Sequence, residues 1–363
     1  MWYDKWDFIE EPYGIKRTQS IPFNRIIWNR DDLRDKENIN RFLADIVDHR
    51  SVSLRIFGPT RSGKTWLLRY LEKMLTEKLG DGILIIKTEI PEAEPTIDRF
   101  YRSFIESLNN SLLGFLSRVQ KKIGTNQKDW RDYFDDHDLG SALYHIHLKT
   151  DHEVISKQWL SGVRVTASAL RPAGLITPLT SYREVQIMTK LIDRIGSLYE
   201  SCILMVDEIG QIRPTSAARV IGGTLREILD SFYEKFGLVC TYTAKLSDFL
   251  MDLGYSQHFY KRFDYEVELS ALEEDYVDDF LAIHHSAYRK PDSSITDQLV
   301  PFSKSSLNKL LELLDLENYY PGPILHSCGV IASTAAGDDV SEISPSFIEE
   351  NKERLPKNYL RQL

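Results

Sequence analysis

Eight consecutive residues of this 363-residue chain, Gly58-Pro-Thr-Arg-Ser-Gly-Lys-Thr65, have the types and spacing that hold a phosphate. They fit the pattern G-x-x-x-x-G-K-[ST]. Gly58 and Gly63 let the backbone curl close to an anion, and the N–H groups of the loop and of the following helix point at it. Lys64 would reach the β- and γ-phosphates of ATP, and Thr65 would offer its hydroxyl to Mg²⁺. Gly58, Pro59, Thr60, Arg61, Ser62, Gly63, Lys64, Thr65 and the adjoining Trp66 are therefore the candidate nucleotide-binding residues. A second run, Cys202-Ile-Leu-Met-Val-Asp-Glu208, is apolar and ends in two acids. Asp207 would hold Mg²⁺, directly or through water, and Glu208 would polarise the attacking water. An acid directly after the metal-binding Asp favours hydrolysis over simple nucleotide binding or small-molecule phosphoryl transfer.

The elements that must place these residues follow from apolar spacing. Val52–Phe57 reads as a strand running into the glycine loop, and Trp66–Met74-Leu75 has helical spacing. Further strands are expected over Gly82–Ile90, at the run ending in Asp207-Glu208, over Gly237–Thr243 and over Asp264–Leu269. Helices are expected over Asp31–Val47, Thr96–Ile123, Ser181–Tyr199 and Ala217–Phe236. Strands alternating with helices imply a parallel sheet covered on both faces. The chain divides into an arm over residues 1–25, a nucleotide-binding domain over 26–269 with a helical insertion at about 95–180, and a helical region over 270–363. Within the insertion, residues 124–180 read as short elements. Trp2, Tyr3, Trp6, Phe8 and Tyr13 make the arm aromatic, to dock on its own domain or on a neighbouring subunit.

Bulk properties exclude several classes. Hydrophobic content of 42 % and charged content of 27 % are those of a globular protein. No apolar run approaches the ~20 residues of a membrane helix, and the N-terminus lacks the basic-then-apolar form of a signal peptide. Cys202, Cys240 and Cys328 are too few for a disulfide framework or a zinc site, so a reducing cytoplasm is expected. A net charge of −9 argues against a surface coated in basic residues but leaves room for a local stripe. Arg118, Lys121, Lys122, Lys128, Arg131, Lys261 and Arg262 are candidates for one, or are solvated helix faces. His145-Ile-His147 would put two imidazoles on one strand face beside several Asp residues, but the spacing fits no closed four-ligand metal pattern.

Taken in order, Asn29–Leu33 before the glycine loop, the two phosphate-site motifs, Thr243 closing a strand, Lys261-Arg262-Phe263 and a purely helical C-terminus resemble an AAA+ ATPase of the origin-recognition-like branch, which includes regulators of DNA transposition. Trp159-Leu-Ser-Gly162 and Gly174-Leu175 also resemble ATP-binding proteins of BREX-type phage-exclusion systems. The resemblance covers roughly residues 25–340 and implies an α/β P-loop NTPase fold of the ASCE/AAA+ type. That fold is a parallel five-stranded sheet flanked by helices, with a C-terminal helical lid. It also implies that Thr243 is the sensor-1 hydroxyl, or else a strand-end Thr chosen for β propensity. Arg262 becomes an arginine finger reaching a neighbouring subunit's nucleotide, or a surface Arg. Many relatives carry a sensor-2 Arg in the lid; here Tyr319-Tyr-Pro-Gly-Pro-Ile-Leu-His326 puts Pro323 in that place, and His326 is either a substitute or a structural imidazole at a helix start.

Two functional classes are compatible with these residues. One is an oligomeric, ATP-hydrolysing switch with ATP at subunit interfaces, acting on or beside double-stranded DNA in phage defence, mobile-element control or replication. The alternative is a STAND-like signalling switch that controls an effector protein without touching DNA, favoured by the acidic balance and the missing sensor-2 Arg. No membrane partner is expected. A small-molecule kinase is disfavoured by Glu208 and the long helical C-terminus.

Overall fold

The computed structural model describes residues 1–13, 35–89, 96–207, 216–232, 234–243, 262–314 and 319–355, with backbone alone over 216–221. Strands β1 (Val52–Phe57), β2 (Ile83–Glu89), β3 (Ser201–Asp207), β4 (Phe236–Tyr242) and β5 (Tyr265–Glu268) form one sheet in the order β2-β3-β4-β1-β5. β2 and β3 run parallel, from Ile83 opposite Ser201 to Glu89 opposite Asp207. β3 and β4 do likewise, from Cys202 opposite Phe236 to Val206 opposite Cys240. Along β1 and β5 the partners also rise together. Ser53 N–H donates to the Asp264 carboxylate at 2.8 Å, Arg55 pairs with Glu266, and Leu269 N–H donates to the Phe57 carbonyl at 2.8 Å. Every residue of β3 and β4 is buried, which is why these strands read as unbroken apolar runs rather than as alternation.

The described chain divides into two compact units: residues 38–56 with 74–266, and residues 1–37 with 57–73 and 267–363. The first holds most of the sheet and its covering helices. α1 (Lys36–Val47) buries Ile39, Phe42, Leu43 and Ile46, four positions on one helical face. The expected start of that helix at Asp31, the Asn29–Leu33 segment and residues 14–25 of the arm lie outside the described residues. α2 (Lys64–Leu79) follows the glycine loop. α3 (Ile97–Ile123) buries a stripe from Ile97 and Phe100 to Phe115 and Val119. The Thr96 side chain accepts from Arg99 N–H at its start and Gly124 (φ 83°) ends it, caps worth about 1 kcal/mol each.

Beyond α3 come α4 (Gln127–Phe134), α5 (His137–Leu148), α6 (Glu153–Leu160), the short α7 (Ala167–Leu170) and α8 (Ser181–Gly196). Gly140 lets α5 lie against α4, since a Cβ there would stand 2.6 Å from the Arg131 Cα. Buried acids organise the rest. Asp136 caps α5 through Leu139 N–H and takes the Arg183 guanidinium at 2.5 Å. Asp138 accepts the Ile176 and Thr177 amides at 2.9 and 3.0 Å. His145 and His147 sit on helix α5, not on a strand. Their rings face protein partners, His145 the Thr150 hydroxyl and the Ala173 carbonyl, His147 the Gln120 side chain. The alternation His-x-His suggested a strand, but the Asp136 cap starts a helix here. Glu184 on α8 is 3 % exposed; burial first, then the Asp98 carboxylate beside it, raise its carboxyl to about 7. α9 (Ser216–Ser231) stops before Phe236, which belongs to β4; the sequence reading ran the helix five residues too far.

The second unit carries α10 (Val277–Tyr288), α11 (Lys304–Leu314), α12 (Pro321–Gly337) and α13 (Pro345–Glu350). Residues 1–13 of the aromatic arm dock on these helices of their own chain. Trp6, Phe8 and Tyr13 share a core with Leu281, Leu307 and Ile331. Trp6 Nε1 donates to the Ser341 carbonyl at 2.8 Å, and Ile9 N–H donates to the Tyr288 carbonyl at 2.8 Å. Two imidazoles lie behind the arm, His285 fully buried and His284 partly so. His285 meets the Tyr13 hydroxyl at 2.7 Å and the Gln298 carbonyl at 3.0 Å, and His284 meets the Pro12 carbonyl at 2.5 Å. Burial, more than any other cause, pushes them down to about 4 (His284) and about 3 (His285). Cys202, Cys240 and Cys328 are all buried and reduced. Among the described residues no helix is long and apolar enough to cross a membrane.

These groups set the pH response in opposite senses. The unfolded imidazoles take protons near 6.5 and the folded ones do not, so stability is full above 6.5 and falls on acidification through about 4. Glu184 ionises near 4.5 when unfolded and near 7 when folded, so its burial weighs against folding as pH rises through that window. Urea midpoints should fall from pH 6.5 to pH 4. Glu184→Gln should raise the midpoint at pH 8 and leave it unchanged at pH 4; an equal shift at both would refute the assignment.

Candidate functional site

The glycine loop links β1 to α2. Its first residue has no room for a side chain, since a Cβ on Gly58 would meet the Ser62 Oγ at 2.4 Å and the Leu269 Cβ at 3.0 Å. Arg61 (φ 68°) and Gly63 (φ 102°) take left-handed backbone conformations, the first unusual for a residue with a Cβ. The loop thereby turns back on itself: Ser62 N–H donates to the Pro59 carbonyl at 3.2 Å, and Leu67 N–H to the Gly63 carbonyl at 2.9 Å. Lys64, 6 % exposed, directs its ammonium onto the Gly58 and Pro59 carbonyls, both at 2.8 Å. The Ser62 Oγ is buried with no hydrogen-bond partner among the described residues. A tight glycine turn, a buried ammonium at its mouth and the first turn of a helix beneath it fit an anionic phosphate group.

The loop also meets the C-terminal helices of its own unit. Gly322, in the first turn of α12, donates its N–H to the Arg61 carbonyl at 3.1 Å. A Cβ on Gly322 would stand 2.4 Å from the Arg61 Cβ, so only glycine permits this approach. Pro323 is buried as the third residue of α12 and offers no N–H donor. His326 follows one turn later; burial first, then the charge of Arg61, hold it below the ordinary imidazole value. Trp66 lies with its ring 6.3 Å from that of His284 on α10. Nothing in the sequence pattern marked Gly322; the signal was the glycine between two prolines at a helix start.

In the other unit, Asp207 is the last residue of β3 and is 8 % exposed. The Thr241 hydroxyl on β4 donates to Asp207 Oδ1. The register explains the pair: Val206 lies opposite Cys240, so the next residues of each strand stand side by side. Thr241 was not singled out by sequence: the register is offset by one residue, with Cys202 opposite Phe236, so counting from the strand ends points to Tyr242 instead. Thr243 follows the end of β4 and is half-buried. Arg262 is half exposed, with its guanidinium 3.1 Å from Asp230 on α9 and its carbonyl accepting from the Ser53 hydroxyl. Glu208 and Lys261 lie outside the described residues. Among the described residues, no group of three or more His, Cys, Asp or Glu side chains could hold a metal ion.

Neither a protein-family model nor a curated protein matches the sequence. Solved structures do match in fold. The chain is similar to Aeropyrum pernix ORC1 in complex with DNA at 13 % identity and TM-score 0.52, over 88 % of this chain and 65 % of that one. It is similar to Aeropyrum pernix ORC2 in ADPNP-ADP complexes at 10 % identity and TM-score 0.57, over 98 % and 73 %. It is similar to Pyrobaculum aerophilum CDC6P at 12 % identity and TM-score 0.55, over 92 % and 71 %. At such identities the likeness is one of fold. The chain has the AAA+ P-loop fold of the ORC/Cdc6 proteins, a five-stranded parallel sheet flanked by helices with a helical lid.

Gly322→Ala should force Arg61 and α12 apart and destabilise the protein by about 1–3 kcal/mol, the usual result of overpacking. Thermal melts of Gly322→Ala against Gly337→Ala, a position where a Cβ meets nothing within 4 Å, separate this clash from a general helix effect.

Proposed function

We propose that this chain is a Mg²⁺-dependent ATPase, an AAA+ switch that works as an oligomer on or beside DNA. The observation that carries it is the glycine loop curled around the Lys64 ammonium, held at 2.8 Å by two carbonyls of that loop. Lys64 would leave those carbonyls for the β- and γ-phosphates, an exchange that costs little because a buried cation trades one set of oxygens for another. Thr65 and Asp207 would hold the metal, whose charge offsets the charge developing on the transferred phosphoryl. The Thr241 hydroxyl would fix which Asp207 oxygen faces away from the metal, as outer hydrogen bonds do for ligating carboxylates. Glu208 would take the proton of the attacking water. Thr243 is proposed as the hydroxyl near that water, and Arg262 as the finger offered to a neighbouring subunit's nucleotide once released from Asp230.

DNA as the partner is supported by the fold likeness to ORC1 in complex with DNA and by the sequence resemblance stated above. That resemblance also supports a setting in phage defence, mobile-element control or replication, in the reducing cytoplasm. The signalling alternative keeps one specific support, since Pro323 leaves the lid without an arginine for the phosphate.

Lys64→Ala should lose binding of a fluorescent ATP analogue by at least a hundredfold. Glu208→Gln should keep that binding while steady-state hydrolysis drops by about a hundredfold or more, since only the water-activating group is lost. Wild-type turnover by Glu208→Gln would remove Glu208 from the mechanism. Nucleotide-dependent sedimentation tests assembly, and hydrolysis unmoved by duplex DNA at low salt would turn the reading towards the signalling switch.

A further inference from the structure

The chain holds 54 Asp and Glu residues, yet none falls between Val154 and Arg183, the longest stretch of the sequence without an acid. A window of thirty residues would hold about four on average. The same window carries Lys157, Arg164, Arg171 and Arg183. Lys157 pairs with Glu153 at 2.6 Å and Arg183 with Asp136. The side chains of Arg164 and Arg171 are exposed and, among the described residues, make no hydrogen bond, ion pair or ring contact. In the same window Thr166, Ser168 and Thr177 are also exposed, the first two with their hydroxyls 3.1 Å apart.

The segment is anchored from beneath. Leu170 and Leu175 are buried and joined by a backbone hydrogen bond of 3.1 Å. Trp159 Nε1 donates to the Thr177 carbonyl at 2.9 Å, Asp138 grips the Ile176 and Thr177 amides, and Arg102 donates to the Gly162 carbonyl at 3.0 Å. The two free guanidinium groups thus project from a fixed base, so ordering it costs a partner little. The next acid along the chain, Glu184, is buried, and at the edge of the window the Asp98 carboxylate accepts from the Ser181 hydroxyl at 2.8 Å.

The basic residues that the sequence alone brought forward are mostly engaged within the chain. Arg118 stacks 4.2 Å over the Tyr199 ring and donates to the Leu198 and Asp81 carbonyls. Lys122 lies over Tyr133, Arg131 donates to Ser141, and Arg262 pairs with Asp230.

Unpaired guanidinium groups among exposed hydroxyls are the donors that backbone phosphates take. A single-strand platform would need several exposed aromatic rings for stacking. In this window Trp159 is buried and Tyr182, 75 % exposed, stands alone. We propose that the face carrying Arg164, Arg171 and the neighbouring hydroxyls docks the phosphate backbone of duplex DNA and reads no base sequence. This rests on the DNA-acting reading above and names the surface that serves it.

The test is fluorescence anisotropy of two labelled duplexes of unrelated sequence, with wild type and Arg164→Ala/Arg171→Ala, from about 50 to 200 mM salt. The double variant should weaken binding to both duplexes alike, by roughly tenfold or more. Its slope of log affinity against log salt should shrink by about two phosphates' worth. ATP-analogue affinity and melting temperature should stay unchanged, since neither side chain has a partner among the described residues. An unchanged salt slope in a double variant that still binds duplex would overturn this surface and leave the DNA reading standing. If wild type hydrolyses ATP but binds no duplex, both fail together. If, with a labelled single strand measured alongside, the double variant loses only single-stranded binding, the duplex assignment is wrong.

Discussion

A buried ammonium is the constraint around which the glycine loop is built. A lone charge taken out of water costs several kcal/mol, so Lys64 at 6 % exposure needs oxygens close by. Its own loop supplies them in the Gly58 and Pro59 carbonyls. That arrangement dictates the local sequence. The chain must reverse within five residues, which takes left-handed backbone at Arg61 and Gly63 and an absent Cβ at Gly58. It must also enter and leave through rigid elements, and β1 and α2 provide them. A loop that already satisfies its cation with carbonyls can exchange them for phosphate oxygens without rebuilding.

Buried polar groups play the same organising part in the helical insertion, where there is no ligand chemistry to explain them. Asp136 and Asp138 begin α5, yet their carboxylates tie it to α8 and to the stretch before it. These acids are spent inward, and the chain from Val154 to Arg183 contributes no acid of its own. Glu184 continues the pattern from α8: its burial removes a negative charge from the same neighbourhood. The positive face is thus a consequence of where the acids are buried as much as of where the arginines sit.

The glycine loop, the apolar strands and the acid closing β3 were legible because each is a local pattern with a local cause. Long apolar runs without alternation identified β3 and β4 as strands covered on both faces, and the register bears this out. What escaped was pairwise. The hydroxyl that reaches Asp207 belongs to Thr241, and strand register decides that. His145 and His147 alternate like strand residues but obey the Asp136 helix cap. The aromatic arm was legible as sticky; that it folds onto its own C-terminal helices depends on Tyr13 meeting His285, a contact between residues far apart in sequence.

The lid's approach to the loop differs in kind from an arginine's. An arginine senses phosphate charge over several ångströms, and its attraction is strongest where water is excluded. The Gly322 amide is neutral and bonds to a carbonyl of the loop itself, at a site where a single extra carbon would not fit. A bond of that sort is worth about 1 kcal/mol and falls off steeply with distance and angle. It therefore responds to the shape of the loop at Arg61, whose left-handed conformation presents that carbonyl, and not to the charge the loop carries. Backbone geometry, not a charged side chain, is thus what joins α12 to the loop at Gly322.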